Sequence, residues 1–358
     1  MVFLPTSPRP VQRTIHALAL AAALALSLVA PVTAAVQPAG YVPREQRNGA
    51  MKYWEAWAML PADLSKKISD VDWDALKGST EWDKLPESFK ALQDEPVESV
   101  ANAIENAAGY PRCNFELQWE DGVMTLMPHL SRMRAGARLM RVAARMDLAH
   151  GKADAAAHRT AIIFKTARDT SQDPVLISSL VGIAIADLAM SEVEAEIESG
   201  KLTAAAKREL LDALRAVNTQ DPMNTRASIQ GERDAFIPWI AKQMQTEETL
   251  KSLRELANIE SGVKKEDADA YFGKLDKPKF DSDLKRIDTA YAELLTLWDK
   301  PDAKNELDAF SKKIDSGDYG TLARFFLPSI GNAKAAQDKF KKRLADTIDK
   351  VEKAPVGK

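Results

Sequence analysis

The chain has 358 residues, 49 Lys and Arg against 52 Asp and Glu, a formal charge of −3 and one cysteine. A mildly acidic balance excludes a general nucleic-acid binder, because phosphate contacts need clustered positive charge. One cysteine excludes an internal disulfide, so stability must come from packing, for which the length suffices in one large core or two smaller ones.

Residues 1–35 carry the three parts of a secretory signal. Arg9 and Arg13 stand in the first part without an acidic residue, Ala17 to Val29 is almost pure Ala, Leu and Val, and Pro31, Val32, Thr33, Ala34 and Ala35 follow. Small residues at −3 and −1 place cleavage after Ala34 or Ala35. The apolar run falls short of the roughly 20 residues that span a bilayer. No cysteine follows it directly, which excludes a lipoprotein anchor. Its removal takes away two Arg and no acid, leaving 47 basic and 52 acidic residues and a charge of −5. The expected location is outside the cytoplasm, periplasmic or secreted. The longest later apolar segment, Pro174 to Ala186, ends at Asp187, so no transmembrane span is expected after cleavage.

Strand signals are nearly absent, and helical periodicity runs through the chain. Arg44 to Leu60 reads as a first helix with Met51, Trp54 and Ala58 on one face. Residues 63–93 hold short helical patterns around Trp73 and Trp82. Leu130, Met133, Ala137, Met140 and Ala144 form one stripe, broken by Gly151, a residue free to adopt a left-handed cap. Ala155 to Thr170 reads as the returning helix. Asp173-Pro174 reads as an N-cap and first helical residue. The helix it opens, Pro174 to about Ser199, is apolar on nearly all sides and is expected at the centre of the core. Gly200 ends it, and Thr203 caps a helix running to about Val217. Asp221-Pro222 repeats the cap device, and Pro238 is expected to kink the helix that follows.

In the C-terminal part, Leu284, Ile287, Tyr291, Leu294 and Trp298 make one stripe, with Asp281 or Ser282 as cap and Pro301 as stop. Leu307, Phe310 and Ile314 make a short one, and Phe340, Leu344, Ile348 and Val351 another. Residues 354–358 are expected to fray. Short connections make neighbouring helices antiparallel. The expected fold is therefore all-α, an irregular stack of antiparallel helical hairpins without significant β-sheet. The Leu148, Gly151 and Ala156 spacing is loosely tetratricopeptide-like. After the signal, residues 36–218 form a helical-hairpin domain. Residues 219–358, where Lys, Asp and Glu increase, form a C-terminal helical region, separate or part of the same domain.

The chain resembles a group of exported helical proteins of planctomycete-type bacteria. The phrases that carry the likeness run from Asn48 to Pro61, Cys113 to Phe115, Met127 to Arg134, Ala149 to Gly151 and Asp173 to Ile185, within residues 48–217. The resemblance implies export and an all-helical fold. No activity attaches to the group, so no residue role carries over.

The search for chemistry yields few groupings. His129, His150 and His158 show no metal-ligand spacing, and no metal or cofactor motif is present. Cys113 reads as a small buried apolar residue; a thiolate pair with His129 is the sharper alternative. Paired carboxylates are the one catalytic option: Glu116 and Glu120 flank Trp119, and Asp187 lies within the apolar helix, where an ion pair is the plainer reading. Arg134, Arg138, Arg141 and Arg145 share a helix face. They can bind an anionic ligand or pair with Glu192, Glu194, Glu196 and Glu198; pairing is the expectation. Tyr53, Trp54 and Trp57 suit core packing better than sugar stacking. The function expected is an exported helical scaffold or binding protein of the cell envelope, with a protein or peptide partner. The alternative is an exported hydrolase using paired carboxylates.

Overall fold

The computed structural model describes residues 46–243, 271, 276–300, 303–327 and 330–357. The expected signal, its cleavage site, Arg44, Pro301 and Lys358 lie outside the described residues. The helices in chain order are α1 (Ala50–Ala58), α2 (Ala62–Ser69), α3 (Glu87–Lys90), α4 (Val97–Ala108), α5 (His129–Ala149), α6 (Ala153–Thr170) and α7 (Leu176–Glu198). There follow α8 (Ala204–Arg215), α9 (Thr225–Gln243), α10 (Lys277–Trp298), α11 (Lys304–Ser316), α12 (Gly320–Phe326) and α13 (Ile330–Lys353). Single 3₁₀ turns lie at Trp82–Lys84, Ala91–Asp94, Trp119–Met124 and Pro222–Asn224. Among the described residues there is no strand, and one isolated bridge joins Asn48 to Arg112. The fold is all-α.

The hairpin stack α5 to α8 forms as its punctuation dictates. Gly151 has φ +77°. There Gly151 N–H donates to Leu148 O at 3.0 Å and Lys152 N–H to Asp147 O at 2.8 Å, the paired bonds of a Schellman cap. Thr203 Oγ1 accepts Ala206 N–H at 3.0 Å and starts α8. The stripe Leu130, Met133, Ala137, Met140 and Ala144 is buried. α6 packs against α5, α7 and α8. Its crossing with α7 is close: a Cβ on Gly182 would stand 2.9 Å from Ala167 O and 3.0 Å from Ser171 Cβ.

α7 continues past Asp187, where the sequence reading had ended the apolar segment. By length and composition it is long and apolar enough to cross a membrane. Its neighbours include α5, α6, α9 and α13, and 61% of its most apolar window is buried.

Several local expectations are corrected. α1 buries Tyr53 and Trp57, while Met51, Trp54 and Ala58 are exposed, so the helix is rotated from the expected face. Asp173 does not cap α7. That helix begins at Leu176, whose N–H is taken by Glu232 of α9 at 2.7 Å. Asp276, not Asp281 or Ser282, caps α10 by accepting Lys279 N–H at 2.9 Å. Asp221 precedes a 3₁₀ turn rather than a helix, yet accepts Arg226 N–H at 2.8 Å and Ala227 N–H at 3.1 Å in the first turn of α9. Pro238 lies inside α9, where the sequence places it. The tail is tied: Ala354 is buried, Gly357 N–H donates to Leu202 O at 2.9 Å, and Lys207 Nζ reaches Glu352 O and Ala354 O at 2.8 Å.

Two large apolar clusters and a small one of Leu148, Ala156 and Ala195 form the interior of the described residues. The larger joins α1, α4, α5, α6, α7 and α8; the second joins α9 to α12 through Ile287, Tyr291, Leu294, Phe310 and Leu322. The last helix serves both. Ala333 lies in the second cluster, and Phe340, Leu344 and Val351 lie in the first. The described residues form one compact unit.

Candidate functional site

The arginine row of α5 is divided by the packing of α7. Arg145 Nε meets Glu192 Oε2 at 2.9 Å, its Nη2 meets Oε1 at 3.1 Å, and its Nη1 donates to Leu76 O at 2.9 Å. Arg141 Nε donates to Glu192 Oε1 at 2.7 Å, and its guanidinium lies over the Trp73 ring at 3.6 Å. Arg145 and Glu192 are both buried. Arg138 reaches Ser69 Oγ at 3.4 Å, and Arg134 is exposed. The inner half of the row therefore balances one buried carboxylate; a buried pair is held for its fit, since desolvation offsets much of its Coulomb gain. Glu194 is met from another direction, by Arg343 and Lys350 of α13.

The carboxylates singled out in the sequence do not converge. Glu116 has φ +52° in an exposed loop, and Glu120 is exposed in the Trp119–Met124 turn. Asp187 is 41% exposed and pairs with Arg343 at 3.0 Å, so the ion pair expected to be buried lies near the surface. The strongly perturbed carboxyls are Glu196, expected only as a partner of the arginine row, and Glu232, which the sequence does not mark. Glu196 is buried, accepts Thr160 Oγ1–H at 2.7 Å, and is pushed up to about 8, by burial first and then by the neighbouring Glu192 charge. Glu232, partly buried at the start of α7, is pushed up to about 7 by burial, against the opposing bond from Leu176 N–H.

The feature that reaches from surface to interior is aromatic. Trp54 is 38% exposed. Its ring stands edge-on to Trp57 at 4.8 Å and to Phe115 at 6.4 Å. Trp57 stacks on Phe115 at 5.8 Å, and Phe115 stacks on His129 at 4.2 Å. His129, the first residue of α5, is fully buried, with Nε2 2.7 Å from Asp173 Oδ2. Asp173 also accepts Ser178 Oγ–H at 3.1 Å. Acting as acceptor for both, it holds the imidazole proton on Nε2. His129 Nδ1 has no hydrogen-bond partner among the described residues. Beside this group, Tyr53 donates to Asp169 at 2.9 Å, and Lys165 pairs with the same carboxylate. Burial pushes the Tyr53 hydroxyl and the Cys113 thiol well up, with the Asp169 charge adding to both. A neutral, sealed thiol is a packing residue, not a nucleophile.

The buried part of this set joins the start of α5, the end of α6, the start of α7 and the inner face of α1. Its chemistry is cross-linking: Tyr53–Asp169 ties α1 to α6, and His129–Asp173 ties α5 to the segment that leads into α7. The solvent-facing part is Trp54, with exposed Met51 one turn before it on α1. Tyr53, Trp54 and Trp57 thus divide, with two facing inward and one facing outward. The sequence marks Tyr53, Trp54 and Trp57 as packing residues and sets His129 beside Cys113 only; the Asp-Pro context of Asp173 reads more simply as a cap, and nothing local links Phe115 to His129.

The remaining histidines stand apart. His150 is exposed, with its ring 4.3 Å from Trp82. His158 lies between Glu209, 2.6 Å from Nδ1, and Glu105, 3.1 Å from Nε2. Among the described residues no group of His, Cys, Asp and Glu has the arrangement to hold a metal ion. No protein-family model matches the chain, and neither a curated protein nor a solved structure matches it.

Proposed function

We propose that this is an exported helical scaffold or binding protein of the cell envelope, and that it engages a protein or peptide partner through the outer face of α1. The observation that supports this most is the placement of Trp54. It is braced edge-on by two aromatic rings yet left 38% exposed, one turn along α1 from Met51, which is 65% exposed. A rigid Trp presents large contact area at little entropic cost, and a neighbouring Met side chain adapts to varied apolar partners. The resemblance to exported helical proteins and the signal-like residues 1–35 agree with an envelope location.

Immobilised protein challenged with an envelope extract tests this reading. Wild type should retain a defined component that Trp54→Ala with Met51→Ala loses, while the melting temperature moves by no more than a degree or two. Equal retention by the variant sinks the α1 reading. Trp57→Ala is the contrasting control: Trp57 is buried, so its truncation should cost about 3–5 kcal/mol of stability.

A further inference from the structure

His158 occupies a position on α6 where two other helices bring carboxylates to its two ring nitrogens. Glu209 of α8 stands 2.6 Å from Nδ1, and Glu105 of α4 stands 3.1 Å from Nε2. A carboxylate accepts hydrogen bonds and cannot donate them, and a neutral imidazole has one N–H. Only the imidazolium donates to both at once. The ring is 43% exposed, so protons exchange freely with solvent. We propose that His158 is a proton-operated clamp: charged, it holds α4 against α6 and α8; neutral, it releases Glu105.

The geometry also says which arm opens. The shorter bond, to Glu209, keeps the remaining proton on Nδ1. The Nε2 lone pair then faces Glu105, and two acceptors repel. Glu105 lies in the last turn of α4. The other end of that helix is held independently, since Glu98 bonds Arg159 Nη2 at 2.7 Å and Arg159 also bonds Asp147. Loss of the clamp therefore loosens the C-terminal turn of α4 and leaves its start in place. The charged groups that act on the ring are Glu105 from α4 and Glu209 from α8; Glu196 of α7 interacts electrostatically with Glu209, and Arg159 of α6 is engaged by Asp147 and Glu98. Burial lowers the tendency of His158 to hold its proton, but the bonds to Glu209 and Glu105 outweigh it, and the net shift is upward.

The test is hydrogen exchange at amides 104–108 of the full chain, corrected for intrinsic rates, between pH 6 and 9, with His158 titrated by NMR in the same samples. Wild type should lose at least fivefold protection at these amides as His158 deprotonates, while amides 97–101 hold theirs. Glu105→Gln should abolish the pH dependence, because its amide donates to neutral Nε2 and the arm stays closed. Glu196→Gln should leave it in place, which separates the clamp from the buried carboxyl titrating near pH 8. Flat protection in wild type, an unchanged slope in Glu105→Gln, or a slope removed by Glu196→Gln overturns the proposal.

Discussion

At the residue scale, the sharpest consequences come from acids that folding places where charge is costly. Glu196 has a folded-state value of about 8, against roughly 4.3 for the side chain in the unfolded chain. The native state therefore binds a proton more tightly. The stability that this proton carries is fully present below about pH 4.3 and is lost as pH rises through 8. Glu232, at about 7, acts in the same direction over a narrower window. The protein should become less stable between pH 5 and 8.5, against the common trend. Glu196→Gln keeps the acceptor for Thr160 and removes the titration. It should raise the melting temperature by several degrees at pH 8.5 and change it little at pH 5. A thermal series over that range checks this, and an unchanged slope would show that Glu196 is not the source. The positions of these acids were not legible in the sequence. Glu192, Glu194 and Glu196 differ there only in phase, yet one meets two arginines, one faces α13 and one is sealed against Thr160.

At the scale of the element, glycine positions divide into two kinds. Gly151 was legible as a cap, because only its own backbone matters: φ is +77° and a Cβ would meet open space. Gly151→Ala should cost about 1–2 kcal/mol, the left-handed penalty. Gly182 sits inside α7, where alanine has the better helix propensity by about 1 kcal/mol. Its Cβ would nonetheless press on Ala167 O of α6. Gly182→Ala should therefore destabilise by about 1–3 kcal/mol, as overpacking does. Urea unfolding of the two variants checks both signs, and a stabilised Gly182→Ala would mean that the α6–α7 crossing yields. The rotation of α1 has a similar cause. Trp54 and Trp57 both satisfy a helical stripe; Phe115 and Tyr53's bond to Asp169 select the face that turns inward, and those partners lie far along the chain.

At the scale of the whole molecule, α13 decides how the parts cohere. Ala333 packs in one apolar cluster and Phe340, Leu344 and Val351 in the other, while Arg343 reaches Asp187, Ser191 and Glu194 on α7. A helix shared by two cores makes their unfolding one event. Trp57 reports on the first cluster and Trp298 on the second. With 5-fluorotryptophan incorporated, their ¹⁹F resonances should lose intensity at the same urea concentration. Two midpoints would show that the cores unfold independently.

Local pattern alone determined the helical class, the breaks at Gly151 and Gly200, the cap at Thr203, the buried stripes of α5 and α11 and, but for the half-buried Leu284 and Ile348, those of α10 and α13. These follow from backbone preference and periodicity, which act within a few residues. The exposed Trp54 platform, the sealed His129–Asp173 pair, the cap that Glu232 lends to α7, and the His158 bridge arose only in the tertiary structure. Each depends on which helix faces which, and that is settled by side-chain volume and charge pairing between residues dozens of positions apart, where a one-dimensional pattern carries no phase.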